Sequence, residues 1–239
     1  MAEDKIALVV GVGDGLGLAL SRRFAKAGMN VAMVARDRAK LEGLEAKIGA
    51  QDESKVRAFP ADAVDETAVK NLFKAVREAW DEPDLVAYNA GTYQPGGILE
   101  IRREDVERCW RVGCLGGFLV GREAAKGMVE RGRGTIIFTG ATASLRGSAG
   151  FFNLAVGKFG LRALAQSMAR ELGPKGVHVA HVIVDGQIGG PYYAHLVAER
   201  GPDALLKPEA IAEAYWQLHL QPRSAWTQEL DLRPWVEKF

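Results

Sequence analysis

Four glycines fall within seven residues, Gly11, Gly13, Gly15 and Gly17 of GVGDGLG, directly after the apolar run IALVV and directly before a segment of helical period. Glycine tolerates positive φ and lets the backbone approach a ligand closely, while a helix N-terminus offers free N–H groups and a partial positive charge. Such a loop between a first strand and a first helix suits a pyrophosphate, and it is the context that dinucleotide binding requires. Further along, Lys158 lies in GFFNLAVGKFG at the front of a long helix. A metal site is not expected. His178 and His181 sit in VHVAHVIV, which reads as a strand whose residues three apart point to opposite faces, and Cys109 and Cys114 belong to no extended Cys/His framework.

The elements that must position these groups are legible as alternation. Short β-branched runs at 6–10, 30–35, 55–59, 84–88, 134–139, 177–184 and 229–232 are separated by helical stretches, of which 21–28, ending at Gly28, and 65–80 are the clearest. Near-continuous apolar strands between helices imply a parallel sheet covered on both faces. The expectation is a doubly wound α/β fold with seven parallel strands, in one domain spanning residues 1–239. No repeat, low-complexity tract or Pro/Ser-rich linker interrupts the pattern.

The 239 residues carry a formal net charge of +1 with both signs interspersed, so nothing suggests nucleic acid or a membrane surface as partner. No apolar run approaches the roughly 18 to 20 residues that span a bilayer. Two cysteines without a CxxC pair suit a reducing compartment. The expected setting is cytoplasmic, with a small-molecule partner.

Gly11, Gly15 and Gly17 in GxxxGxG spacing, Asp62 after the third strand, Asn89-Ala90-Gly91 after the fourth and Lys158 in the helix after the fifth together resemble the short-chain dehydrogenase/reductase family, over about residues 5 to 232. The resemblance implies a Rossmann-type nicotinamide site. Gly11, Gly13, Asp14, Gly15, Leu16 and Gly17 would form the phosphate turn, Asp62 and Ala63 would meet the adenine, and Asn89, Ala90 and Gly91 would hold the adenosine ribose. Ile188 would hold the carboxamide, though the family's Pro-Gly reads Asp185-Gly186 here and its Thr reads Gly190. A segment of about 186–207 would fold over the substrate. Family members usually pair through helices that correspond to 105–130 and 151–172, which implies a homodimer or homotetramer. The two tryptophans and Phe239 of the C-terminal stretch would cover an edge strand or reach a neighbouring subunit.

Cofactor choice turns on the end of the second strand. An acid there favours the ribose 2′-hydroxyl of NAD, and an arginine favours the 2′-phosphate of NADP. The sequence has Ala35 followed by Arg36, so NADP(H) is preferred, with NAD(H) left open because Asp37 follows.

The resemblance also shows what is missing. The family uses a tyrosine four residues before its lysine, a serine thirteen residues before that tyrosine and an asparagine in the preceding helix. With Lys158 fixing the frame, these positions hold Leu154, Ala141 and Gly113, and no tyrosine lies between Tyr93 and Tyr192 to take the role by realignment. Lys158 then orients the nicotinamide ribose, and substitute donors are sought among Thr142, Ser144, Tyr93, Tyr192, Tyr193 and His195. Three readings follow: an NADP-dependent oxidoreductase of unusual mechanism acting on a small carbonyl, enone, imine or quinone-like acceptor, a non-catalytic NADP(H)-binding redox sensor, or a structural subunit.

Overall fold

The computed structural model describes residues 5–49, 56–190, 193–201 and 203–237. Among them the strands β1 (Ile6–Val10), β2 (Asn30–Ala35), β3 (Val56–Pro60), β4 (Leu85–Tyr88), β5 (Gly134–Thr139), β6 (Val177–Val184) and β7 (Glu229–Leu232) form one sheet in the order β3-β2-β1-β4-β5-β6-β7. Every neighbouring pair is parallel. The predicted doubly wound single-domain fold is the observed one.

The helices are α1 (Leu16–Lys26), α2 (Arg38–Gly49), α3 (Glu66–Ala79), α4 (Arg103–Trp110), α5 (Gly116–Arg131), α6 (Phe152–Leu172), α7 (Ala194–Arg200) and α8 (Pro208–His219). A π-helical turn over Arg111–Leu115 joins α4 to α5. Alternate strand residues serve opposite layers. Ala7 and Val9 pack with Leu20, Phe24 and Tyr215 of α1 and α8, while Ile6, Leu8 and Val10 pack with Phe73, Phe138 and Leu161 on the other side. Each fully buried large apolar side chain contributes about 1.5–3 kcal/mol, which is why strands covered twice read as unbroken apolar runs.

Local signals set the helix ends. The Asp65 carboxylate accepts hydrogen bonds from the N–H groups of Thr67 and Ala68, and Val69, Leu72, Phe73 and Val76 place one apolar stripe of α3 on the sheet. The first helix begins at Leu16, five residues before the stretch singled out in the sequence, because the glycine loop itself supplies its first turn. The fourth strand begins at Leu85; just before it, the Asp84 carboxylate accepts from the Ile6 N–H at 3.1 Å. Residue 55, expected at the start of β3, lies outside the described residues.

Strand order reverses between β1 and β4, and a crevice opens at the carboxyl ends of the strands there. At the far edge β7 pairs with β6, and Trp226 stacks on His178 with ring centroids 5.0 Å apart. Trp235 is 82% exposed, with its Nε1 donating to Asp203 at 3.4 Å. Phe239 lies outside the described residues.

Candidate active site

The glycine loop and the NAG turn meet at the switch point. Gly11 has φ +91°, and a Cβ on it would stand 2.5 Å from the Ala90 nitrogen; one on Gly17 would stand 2.6 Å from the Gly11 carbonyl oxygen. Only glycine serves at either position. Asn89 secures the junction, its Nδ2 donating to the Gly11 carbonyl at 3.0 Å and its backbone N–H to the Val10 carbonyl at 2.8 Å. Gly11, Arg36, Asp62, Ala63, Asn89, Ala90 and Gly91 come together around one cleft of about 630 Å³. Seven of the predicted positions thus share one cavity. Gly13 and Gly15 face open space beside it, and Leu16 is buried at the first turn of α1.

The charges around this cleft are sorted by their partners. Asp37 lines the cleft beside Arg36, and its Oδ1 accepts from the Lys40 N–H at 3.0 Å at the start of α2. Arg36 is exposed and makes no ion pair among the described residues. Asp14 does not line the cleft: its carboxylate pairs with Lys40 at 2.9 Å and Lys47 at 3.8 Å, and the hydrogen bond from Lys40 holds it below the usual carboxylate range. Arg108 of α4 lines the same cleft, donating to Thr92 at 3.4 Å and Gln94 at 3.3 Å. Lying outside the glycine and NAG motifs, it gave no signal in the sequence.

Lys158 is 5% exposed, and its Nζ donates to the Thr139 carbonyl at 2.6 Å. Its Nζ also lies against Gly91, 3.6 Å from where a Cβ would stand, so the ammonium reaches the NAG turn. Burial pushes its pKa down to about 8, because a charged ammonium loses water there. One turn earlier stands Leu154, partly buried and unable to donate a proton. Ala141 has extended backbone, and its N–H donates to the Ser144 hydroxyl at 3.1 Å. Gly113 lies in the π turn, where a Cβ would stand 3.1 Å from the Gly157 Cα. The turn presents the Val112 carbonyl to the Tyr88 hydroxyl, which donates to it at 2.5 Å.

Three of the hydroxyl groups proposed as substitutes have other partners. The Thr142 hydroxyl donates to Asp185 Oδ1. Ser144 is fully buried and shares a hydrogen bond of 3.3 Å with His181 Nε2. The Tyr93 hydroxyl donates to the Gly150 carbonyl at 3.1 Å, and its ring stacks on Phe151 at 4.7 Å. Tyr193 precedes α7, and His195 is an exposed residue of that helix; Tyr192 lies outside the described residues. Ile188 bridges to Leu206, which fixes the base of the expected substrate segment.

The two histidines of β6 take separate partners, as their opposite faces require. His178 Nε2 lies 2.8 Å from the Thr227 carbonyl. His181 sits between Ser144 and Glu229, whose carboxylate is held by Arg162 at 2.6 and 2.7 Å. Burial pushes His181 down to about 4, so it is neutral near pH 7.

Residues 5–188 match the family model for short chain dehydrogenase. Over 89% of its length the chain is 29% identical to the sorbitol-6-phosphate 2-dehydrogenase of Escherichia coli, covering 83% of that protein. It is 35% identical to the (3R)-3-hydroxyacyl-CoA dehydrogenase of Canis lupus familiaris, over 74% of this chain and 72% of that protein. Among solved structures, a short-chain dehydrogenase from Rhodopseudomonas palustris superposes with a TM-score of 0.84 at 39% identity, covering 97% of this chain and 99% of the other. A metagenomic short-chain oxidoreductase in complex with NADP gives 0.84 at 25% identity, with 98% and 99% covered. With the crevice, the glycine cradle and the NAG turn in place, the chain belongs to the short-chain dehydrogenase family of oxidoreductases.

Proposed function

We propose that this protein is an NADP(H)-dependent oxidoreductase that works without a tyrosine acid, reducing a small carbonyl, enone, imine or quinone-like substrate. The observation that carries the reading is the retained cofactor end: a glycine cradle that a single Cβ would fill, joined to a buried Lys158 ammonium that reaches Gly91. These residues fit a nicotinamide dinucleotide. Gly11, Gly15 and Gly17 would take the pyrophosphate, Asp62 and Asn89 the adenosine, and Lys158 the nicotinamide ribose. Arg36, exposed at the cleft, favours a 2′-phosphate, while Asp37 lines the same cleft and uses one carboxylate oxygen at the start of α2. When bound, the reduced nicotinamide supplies a hydride.

Magnitudes allow such an enzyme. Loss of a general acid costs about 10²- to 10⁴-fold in rate, whereas holding two reactants in register contributes about 7–11 kcal/mol. A substrate that needs little protonic help is therefore within reach. Leu154, Ala141 and Gly113 favour a second reading, a non-catalytic NADP(H)-binding sensor or structural subunit. Apolar side chains exposed on α4, α5 and α6, among them Trp110, Phe118 and Phe159, support a homodimer or homotetramer. No helix of the described residues is long and apolar enough to cross a membrane, and two free thiols support a cytoplasmic setting.

Single-turnover oxidation of bound NADPH by a panel of carbonyls, enones, imines and quinones tests the reading. Oxidation by at least one class supports it, together with weaker NADPH binding by Lys158→Ala. Tight NADPH binding with no oxidation by any acceptor favours the second reading.

A further inference from the structure

We infer that the protein carries a second ligand site, at the opposite end of the sheet from the cofactor cleft, and that this site takes a phosphate monoester. The inference does not depend on the oxidoreductase reading, since no residue of the cofactor cleft takes part in it.

The amino ends of β1, β4, β5 and β6 meet the end of α8 around a cavity of about 590 Å³, close in size to the 630 Å³ cleft that the cofactor residues line. The two are separate. Thr135 lines this cavity, whereas the carbonyl of Thr139 holds Lys158, and four residues of one strand put about 13 Å between them. Every charged group of the wall comes from a segment next to an element end: Lys5 before β1, Asp84 before β4, Arg133 before β5, and Arg223 in the turn after α8.

Three cations thus face one carboxylate, and that carboxylate is already committed. Asp84 Oδ2 accepts from the Ile6 N–H at 3.1 Å, while its Oδ1 lies 3.6 Å from Arg131 and 3.7 Å from Arg133. Lys5 is exposed and makes no ion pair among the described residues. Arg223 Nη2 donates to the Gly132 carbonyl at 2.5 Å and lies 3.3 Å from where a Cβ on Gly176 would stand. A guanidinium has five N–H groups, so that single bond leaves others for a ligand. The described lining keeps a surplus of two positive charges, which a phosphate monoester, at about −1.5 to −2 near pH 7, balances. A monocarboxylate leaves half of it unmatched.

His219 sits in the same field. Its Nδ1 lies 2.9 Å from the Thr135 hydroxyl oxygen, and Lys5, Asp84 and His178 are the charged or titratable groups that act on it. Burial first, then the Lys5 ammonium, push its pKa down to about 4, with Lys5 outweighing Asp84. A dianion beside Lys5 reverses that contribution and raises the pKa. For the organic part of the ligand, the wall offers the Trp226 ring, held by its Nε1 bond to the Gln221 carbonyl at 3.2 Å, and Leu220, which is 52% exposed.

The test titrates inorganic phosphate and phenyl phosphate into the whole protein at low ionic strength, with and without saturating NADPH, and follows the histidine ring resonances by NMR. His219→Gln assigns the signal. The His219 resonance should move to saturation with both probes in both states, its pKa should rise, and phenyl phosphate should bind more tightly than phosphate. Lys5→Gln and Arg223→Gln should each weaken binding by about 10- to 100-fold, the effect of losing one charge-assisted hydrogen bond, and Lys5→Gln alone decides if Arg223→Gln fails to fold. Lys175→Gln removes an exposed cation outside the lining and should change nothing. A His219 signal that never saturates overturns the inference. So does a response that vanishes when NADPH is added, which places the phosphate in the cofactor cleft, and so does equal weakening by Lys175→Gln, which marks diffuse attraction alone.

Discussion

Placing a tyrosine at 154 and a serine at 141 should turn the site toward carbonyl reduction. Residues 154 and 158 lie four apart on α6, about 6 Å along one face, so a tyrosine at 154 would stand over the same cleft edge as Lys158. Leu154 is only partly buried, which leaves room for a larger ring. Ala141 already has extended backbone at the end of β5, and a serine hydroxyl there would face the substrate side without disturbing the N–H that Ser144 accepts. A general acid is worth about 10²- to 10⁴-fold and an oxyanion donor about 2.7–4 kcal/mol. Groups that act as a unit do not add, so Ala141→Ser with Leu154→Tyr should raise kcat/KM for a cyclic ketone by about 10²- to 10⁴-fold in all. Gly113→Asn is the wrong third change, because its Cβ would press on Gly157 Cα at 3.1 Å and overpacking of that kind costs about 1–3 kcal/mol. The assay is NADPH oxidation by the ketone, with thermal unfolding and NADPH titration as controls. A folded, NADPH-binding double variant with no gain would refute the geometry assigned to Lys158, Leu154 and Ala141.

Three further outcomes are expected. Arg36→Ala should weaken NADPH by about 10- to 100-fold, as for a lost charge-assisted hydrogen bond of about 1.5–3 kcal/mol, and leave NADH nearly unchanged; equal losses in titrations of both cofactors would remove the assignment. Gly11→Ala, with a positive φ and a Cβ 2.5 Å from the Ala90 nitrogen, should cost at least about 1–3 kcal/mol of stability in urea unfolding and abolish NADPH binding, whereas Gly13→Ala, facing open space, should leave the stability of the free protein unchanged. Burial pushes both His181 and His219 from 6.5 down to about 4. The unfolded chain binds their protons more readily, so the stability they represent is present above pH 6.5 and is lost as pH falls toward 4, by up to about 3 kcal/mol each. Unfolding free energies measured across that window should fall with pH, and His219→Gln should flatten the fall.

Much of this was legible because it is written in backbone requirements. Gly11 and Gly17 had to be glycine for the loop to touch the NAG turn, and the strands had to be apolar throughout to be covered twice. Lys158 was legible by its place one turn after Leu154. What the sequence hid depends on contacts between distant segments. Asp185 showed only as a departure from Pro-Gly, because Thr142 lies 43 positions away in the chain and Arg233 beyond the far strand. Asp14 sits inside the phosphate loop by sequence, yet two lysines of α2 draw its carboxylate outward. Thr142 and Ser144 could be named as hydroxyls near Ala141, but only packing showed that one is turned to Asp185 and the other sealed against His181.

The central claim is that this chain still passes a hydride from NADPH directly to a substrate. The most direct measurement uses NADPH deuterated at the transferring carbon, bound stoichiometrically and mixed with the acceptor panel, with mass spectrometry of the product. Deuterium on the carbon of a reduced imine, carbonyl, enone or quinone-like product, formed more slowly than with unlabelled cofactor, is the predicted result. Stoichiometric NADPH binding with no labelled product from any acceptor would contradict it.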